Sequence, residues 1–123
     1  MSRLWLLSGA AYGLLAVAFG AFGAHALRSR LSADWLAVYH TGVEYQFYHA
    51  LALLAVGVWS LRQPTAGLNF AGGCFAAGVL LFSGSLYALA LTGLRPLGII
   101  TPFGGLLFLL GWAALIRAAW RLA

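Results

Sequence analysis

Charged side chains are scarce in this sequence, and lysine is absent. Only 7% of the 123 residues are charged, and Asp34 and Glu44 are the two acids. Soluble domains carry about 25% charged residues, so the composition excludes an ordinary water-soluble domain. A chain of this length also has too small a core to hide its 63% of hydrophobic residues from water. The composition therefore predicts an integral membrane protein with the lipid bilayer as its first partner.

Cysteine and clustered basic residues are also lacking, and each lack excludes a class of site. Cys74 is the single cysteine, which excludes an internal disulfide and a cysteine-only metal site. The seven basic residues are all arginines scattered along the chain, whereas nucleic-acid-binding proteins gather them on one face. We therefore expect no nucleic-acid partner.

Four long apolar segments fill the chain, each close to the ~20 residues that a helix needs to cross a bilayer. They predict helices over residues 4–27, 33–61, 68–93 and 97–120, within a single domain of residues 1–123. Because the links are short, successive helices should run in opposite directions. The expected fold is an all-α integral membrane protein with four transmembrane helices in an antiparallel up-down-up-down bundle. Ser32 is the expected N-cap of the second helix, and Pro102 predicts a kink or break in the fourth.

The arginines also give an orientation. With four spans, Arg3, Arg62, Arg117 and Arg121 fall on one side of the membrane, and the other three arginines fall on the opposite side. The positive-inside rule then predicts that both termini are cytoplasmic, by a margin of one arginine.

A polar stretch, VYHTGVEYQFYHAL at residues 38–51, opens the second helix. At roughly 100° per residue, its ionisable and aromatic side chains cover one half of the helix, and Gln46 falls outside that half. A polar half should face other helices or a wet cavity. Antiparallel pairing brings polar residues of the other helices to the same end. The predicted intramembrane cluster comprises His25, His40, Glu44, Tyr45, Tyr48, His49, Ser83, Ser85, Tyr87 and Thr101.

The sequence allows several roles for this cluster. It could lock the helices together by hydrogen bonds, or it could serve a proton- or ion-coupled pathway. A metal or haem site is disfavoured because His40 and His49 point to opposite sides of one helix, so we expect no metal and no cofactor. We also expect no enzymatic activity, since the sequence has no serine–histidine–acid arrangement, paired carboxylates or phosphate-binding loop.

Small residues four apart mark two of the predicted helices as close-packing elements. Such spacing lets helix backbones approach in lipid, and packing inside one bundle is favoured over a dimer face. A homo-oligomer or a membrane-protein partner is left open. The positions are Gly9, Gly13, Gly20 and Ala24 on the first helix, and Gly73, Ala77, Gly84 and Ala88 on the third.

Four motifs together resemble one known family. They are GAFGAHAL at 20–27, YQFYHALALL at 45–54, LFSGSLYALALTG at 81–93 and LGIITPFGGLLFLLGW at 97–112. In this order they resemble the domain-of-unknown-function 423 family. Its members are small YgdD-like bacterial proteins, with transmembrane protein 256 as an animal relative. The resemblance implies a multi-pass protein of the bacterial inner (plasma) membrane, and it implies no known activity, substrate or catalytic residue.

The expected function is therefore a structural or accessory component of the inner membrane, of unknown biochemical activity. The alternative is a small transporter or channel subunit that uses the polar cluster on the second helix. Substrate, partner and oligomeric state do not follow from the sequence.

Overall fold

The computed structural model describes residues 1–122, apart from the side chain of Ala24, and within them the chain is helical without a strand. Four long helices follow one another, and each overlaps one of the predicted segments. We number them α1 (Ser2–Leu27), α2 (Ala33–Arg62), α3 (Ala66–Thr92) and α4 (Thr101–Trp120). Helix α1 contains a π-helical turn, Phe19–Gly23, and a 3-10 turn, Arg95–Ile99, precedes α4.

The helix ends follow from local sequence. The hydroxyl oxygen of Ser32 accepts the Trp35 N–H at 3.3 Å and caps α2 as expected, and Thr65 caps α3 in the same way. Gly93 ends α3 with a φ of 70°, a left-handed conformation that favours glycine. Pro102 lies in the first turn of α4, where its missing N–H costs no helical hydrogen bond. The fourth segment is therefore broken before Pro102 instead of being bent within a continuous helix.

Three stretches are long and apolar enough to cross a membrane, namely Ser2–Leu27, Ala66–Thr92 and Arg95–Trp120. Helix α2 is not among them, although its 30 residues make it the longest of the four. Its first half carries the polar stretch of residues 38–51, which lowers its mean hydropathy. The described chain is thus all-helical with three candidate spans, and the fourth span stays a prediction.

Each long helix packs against the next one along the chain. A β-carbon on Gly9 of α1 would lie 2.8 Å from the Ala50 carbonyl oxygen of α2, and one on Gly20 would lie 3.2 Å from Val43. The start of α1 thus meets the second half of α2, and the later part of α1 meets the first half of α2.

Aromatic rings resting directly on glycines hold the helices close together. A β-carbon on Gly72 would lie 2.5 Å from the Trp5 ring, and one on Gly78 would lie 2.6 Å from the Phe108 ring. Because lipid removes the hydrophobic drive between helices, such close van der Waals packing is a main source of their association. The same arrangement recurs at Gly42 with Tyr87 and at Gly111 with Phe75, whereas a β-carbon on Gly104 would meet the backbone of Phe82.

Of the predicted packing residues, two on α1 closely approach a neighbouring helix and the two glycines on α3 do not. Gly9 and Gly20 face α2, whereas Gly13 makes only an ordinary contact and the side chain of Ala24 lies outside the described residues. On α3, a β-carbon on Gly73 or Gly84 would meet nothing within 4 Å.

Helix α3 packs with a different side inward, which explains why Gly73 and Gly84 do not contact a neighbouring helix. Its buried side includes Gly72, Phe75, Val79 and Ser83, which repeat at helical spacing. Gly73 lies about 100° round the helix from Gly72, which places it beside the packed face and not on it. Ala77 is exposed and Ala88 is partly exposed, so the predicted stripe runs along the outer side of α3.

The apolar core lies in the half of the molecule that holds the link between α2 and α3. It is built around Trp5, Leu53, Val56, Leu68, Phe75 and Phe108. Of the buried polar residues of α2, Gln46 and His49 lie in the middle of the helix, whereas Ser60 lies near its end beside this core, and its hydroxyl has no hydrogen-bond partner among the described residues.

Candidate functional site

Gln46 forms a buried polar junction between three helices. Its side chain is 3% exposed. Its amide nitrogen donates to the Tyr12 carbonyl oxygen of α1 at 2.9 Å, and its amide oxygen accepts from the Tyr87 hydroxyl of α3 at 2.6 Å. A buried amide that has partners for both its donor and its acceptor stabilises one arrangement of the helices. We name Tyr12, Gln46 and Tyr87 the glutamine junction.

The buried side of α2 is not the polar half that the sequence predicted. Glu44, Tyr45 and Tyr48 are exposed, and so is His40, whereas His49 at the edge of the predicted half is buried. The inward side is rotated by roughly a third of a turn from the prediction. The buried residues of α2 are Tyr39, Gly42, Gln46, His49, Ala50, Ala52, Leu53, Val56, Gly57 and Ser60.

The deeper half of α2 explains this rotation. Ala50, Leu53 and Gly57 give this half a buried side, on which Ala50 and Gly57 lie close to α1. A rigid helix cannot turn one half inward and the other outward, so the packing of the apolar half fixes the direction of the polar half. Gln46 shares the inward side with Gly42, Leu53 and Gly57, and this spacing is the signal that could have identified it.

His49 is the one member of the predicted histidine set that lies in the interior. Its Nδ1 is 2.7 Å from the Tyr45 carbonyl oxygen, and its Nε2 is 3.0 Å from the Trp112 indole nitrogen of α4. A carbonyl can only accept and an indole N–H can only donate, so His49 carries its proton on Nδ1 and accepts at Nε2. This is the neutral tautomer, and both ring nitrogens have a partner.

Aromatic packing fixes the same imidazole. The His49 ring stacks on Phe108, with centroids 3.6 Å apart and planes 6° from parallel. Tyr45, although 38% exposed, packs on Phe82 at a centroid distance of 4.7 Å. The imidazole is therefore held as part of an aromatic stack between α2 and α4.

The predicted serines of α3 connect it to both neighbours. Ser83 is fully buried, and its hydroxyl donates to the Gly42 carbonyl oxygen of α2 at 2.7 Å. The hydroxyls of Ser85 and Thr101 are 2.5 Å apart and link α3 to the first turn of α4. Because Ser85 also donates to the Phe82 carbonyl oxygen, Thr101 is the donor between the two hydroxyls. Each predicted hydroxyl in the interior thus has a partner.

The remaining members of the cluster lie outside the interior. His25 and His40 line a cavity of about 350 Å³ near the link between α1 and α2, together with Arg28 and Leu36. Neither histidine makes a hydrogen bond with the other or with Glu44 in the part of the chain that the structure describes. The single predicted cluster is therefore wrong as a unit, because the rotation of α2 directs His40 and Glu44 away from α3.

Metal binding has no candidate geometry among residues 1–122, where no group of three or more histidine, cysteine or acidic residues could hold an ion. The hydrogen bonds in the interior instead fix the relative positions of α1, α2, α3 and α4.

Comparison with known proteins identifies the family. The family described as "Protein of unknown function (DUF423)" matches residues 19–105. This chain belongs to the DUF423 family. A UPF0382 membrane protein of Staphylococcus aureus is 46% identical over 98% of each chain. The UPF0382 membrane protein YwdK of Bacillus subtilis is 43% identical over 95% of this chain and 96% of its own length. No solved structure matches.

The DUF423 match contains most of the polar contacts described above. Gln46, His49, Ser83 and Tyr87 all lie inside it, and so does Thr101. The relatives are named as membrane proteins, and the apolar helices of this chain agree with that location. This DUF423 protein is therefore a membrane protein of a family whose function is not known.

Residues that the sequence prediction missed complete the site. Gln46 and Tyr12 carry the junction between α1, α2 and α3, and Trp112 binds His49 from α4. Tyr12 and Trp112 lie in apolar runs where nothing in the pattern distinguishes an inward aromatic from a lipid-facing one. Their roles depend on which helices become neighbours.

Proposed function

We propose that this DUF423 protein is a non-enzymatic accessory component of the bacterial inner membrane, a four-span antiparallel bundle with an interior too tightly bonded to act as a conduit. The observation that carries the proposal is the glutamine junction, in which the donor and the acceptor of Gln46 are both occupied by neighbouring helices. A polar interior of this kind stabilises helix positions, and intramembrane hydrogen bonds between helices are a recognised means of doing so.

The state of His49 argues against transport and catalysis. A proton relay or general base needs a ring nitrogen with an accessible lone pair. In His49 the lone pair of Nε2 accepts from Trp112, and the ring is stacked on Phe108. Taking up a proton at Nε2 would break the bond to Trp112, so the ion-coupled pathway raised by the sequence is not proposed.

Helix length and arginine placement support the proposed topology. At about 1.5 Å per residue, the 30 residues of α2 are long enough to cross the ~30 Å hydrocarbon region. Among the polar residues that lower its hydropathy, Gln46 and His49 have partners in the interior, Asp34 belongs to the first turn, and Glu44 and Tyr48 are exposed. Four arginines, Arg3, Arg62, Arg117 and Arg121, would then share the cytoplasmic side with both termini.

The outer side of α3 supports the accessory role. Gly73 and Gly84 lie open on that side, with Ala77 between them. Small residues at this spacing allow another transmembrane helix to approach the backbone closely. The partner of such a side would be a second copy of this chain or another membrane protein.

Thiol accessibility at Ser83 tests whether the interior is dry. Ser83 is fully buried, and Ser83→Cys changes one atom in the side chain. In membranes containing the protein with Cys74→Ala, we expect Ser83→Cys to resist a membrane-impermeant maleimide. The matched control is Ser29→Cys in the exposed link between α1 and α2, which we expect to be labelled from one side of the membrane. Labelling of Ser83→Cys at a rate close to that of Ser29→Cys would show a water-filled path and overturn the proposal.

A further inference from the structure

A large groove lies beside the hydrophobic core, at the end of the molecule that holds the link between α2 and α3. Its volume is about 1040 Å³. Its walls come from the last turn of α2, the first turns of α3 and the second half of α4. No residue of α1 lines it.

The groove changes character along its length. Leu110, Ala113 and Phe70 form an apolar part of its lining, and Arg117 and Arg121 form a cationic part about two and three turns further along α4 than Leu110. Four of the lining residues recur at intervals of three and four and therefore share one side of α4 and its C-cap. They are Leu110, Ala113, Arg117 and Arg121. The distance along α4 from Leu110 to Arg121 is about 16 Å at 1.5 Å per residue. The groove thus changes from apolar near Leu110 to cationic at its opening near the end of α4.

The two arginines at the opening have no acidic partner in the described chain. No hydrogen bond or ion pair joins either guanidinium group to another residue within 1–122. Asp34 and Glu44 both belong to the first half of α2, and Glu44 is about 22 Å along that helix from Trp59, which lines the groove. The cationic charge at this opening is therefore not compensated by an acidic side chain.

The start of α3 adds hydrogen-bond donors at the same opening. Ala66 and Gly67 line the groove and are the first two residues of a 27-residue helix. Their N–H groups precede the first helical hydrogen bond, and the hydroxyl of Thr65 is already used by the N–H of Leu68. The amino end of a long helix carries partial positive charge and favours an anion.

We propose that this groove binds an anionic phospholipid. Its head phosphate would be bound by Arg117, Arg121 and the first N–H groups of α3, and one acyl chain would lie along Leu110 and Phe70. Guanidinium groups bind phosphate oxygens in a bidentate manner, and basic pockets between membrane helices are typical sites for anionic lipid heads. The inner apolar length favours a lipid over a free phosphate ion, which would leave that part of the groove empty. The inference depends on the proposed topology in one respect, which is that this end of α4 lies at the membrane surface.

Lipid titration of the purified full-length protein tests this inference. In a zwitterionic detergent we expect palmitoyl-oleoyl phosphatidylglycerol to raise the unfolding midpoint more than phosphatidylcholine with the same acyl chains. Arg117→Gln with Arg121→Gln should weaken the apparent affinity for phosphatidylglycerol on the order of 30-fold, because each basic residue near an anionic lipid head contributes about a factor of five. Arg121→Gln alone, in the exposed last turn, serves as a second variant if the double variant does not fold.

The matched control changes the same charge at the other end of the molecule. Arg28→Gln with Arg30→Gln lies in the link between α1 and α2 and should leave the phosphatidylglycerol effect unchanged. Ala113→Trp should weaken the same effect without changing any charge, because the indole would fill the apolar part of the groove.

Three outcomes would overturn the inference. The first is an equal effect of phosphatidylcholine. The second is an unchanged phosphatidylglycerol effect in the Arg117 and Arg121 variants, or an equal loss in the Arg28 and Arg30 control. The third is the full effect from inorganic phosphate or glycerol phosphate, which would identify a free-anion site. The maleimide result at Ser83 does not depend on any of these outcomes, so the lipid site and the proposed function can fail separately.

Discussion

Replacing Gln46 with leucine should destabilise the bundle by removing the glutamine junction. Leucine has nearly the same volume, so Gln46→Leu removes the bonds to Tyr12 and Tyr87 while filling most of the space. Hydrogen bonds between membrane helices average about 0.6 kcal/mol and reach about 1.7 kcal/mol. The loss of two such bonds should lower the free energy of unfolding by about 1–3 kcal/mol.

A double-mutant cycle separates the hydrogen bond from other effects of the substitution. Tyr87→Phe removes the hydroxyl that donates to Gln46 at 2.6 Å and leaves the ring in place over Gly42. Gln46→Leu alone leaves that hydroxyl without its partner, whereas the double variant leaves no polar group unpaired. The double variant should therefore lose less stability than the sum of the single variants, with a coupling energy of about 0.5–1.7 kcal/mol.

Unfolding by sodium dodecyl sulfate in mixed micelles provides the assay, because α-helical membrane proteins can be titrated reversibly between folded and unfolded states there. Tyr48→Phe is the matched control, since the Tyr48 side chain is 53% exposed and no described residue bonds to its hydroxyl. It should change the free energy of unfolding by less than about 0.5 kcal/mol. If Gln46→Leu unfolds at the same detergent fraction as the unmodified protein, or if the coupling energy is zero, the junction does not stabilise the fold.

Two further substitutions test the packing around this junction. His49→Ala should lower the free energy of unfolding by roughly 2 kcal/mol or more, since it removes a buried stacked ring, and an unchanged unfolding midpoint relative to Tyr48→Ala would contradict this. Gly104→Ala places a β-carbon against the Phe82 backbone and should cost about 1–3 kcal/mol, whereas Gly84→Ala has open space and should be neutral or stabilising by up to about 1 kcal/mol. Similar shifts of the unfolding midpoint for these two glycines would show that the close approach of α3 and α4 is wrong.

Helix positions were accessible from sequence because each depends on a local signal. Ser32 caps α2 as the sequence predicted, and α3 begins at Ala66, two residues before the predicted start at residue 68. The break before Pro102 follows from a residue that lacks the N–H a continuous helix would need. These features involve contacts within a few residues, so a linear reading recovers them.

The direction of each helix face was harder to predict. In a soluble protein the polar side of a helix faces water, and in a membrane an apolar residue can face either lipid or a neighbouring helix. Hydropathy therefore does not distinguish Phe108, which is buried, from Leu109, which is 68% exposed. The same ambiguity left Gln46 unassigned and placed Gly73 and Gly84 on the packed side of α3.

The sequence by itself determined that this is a helical membrane protein, where its helices lie and which family it resembles, because composition, helix caps and ordered motifs are properties of the linear chain. Only the tertiary structure decided that Gln46 joins α1 to α3 and that both nitrogens of His49 are occupied. It also brought Arg117 and Arg121 to the same groove as the start of α3. These arrangements depend on the rotation of each helix about its axis, which is set by the fit of aromatic rings on glycines of neighbouring helices.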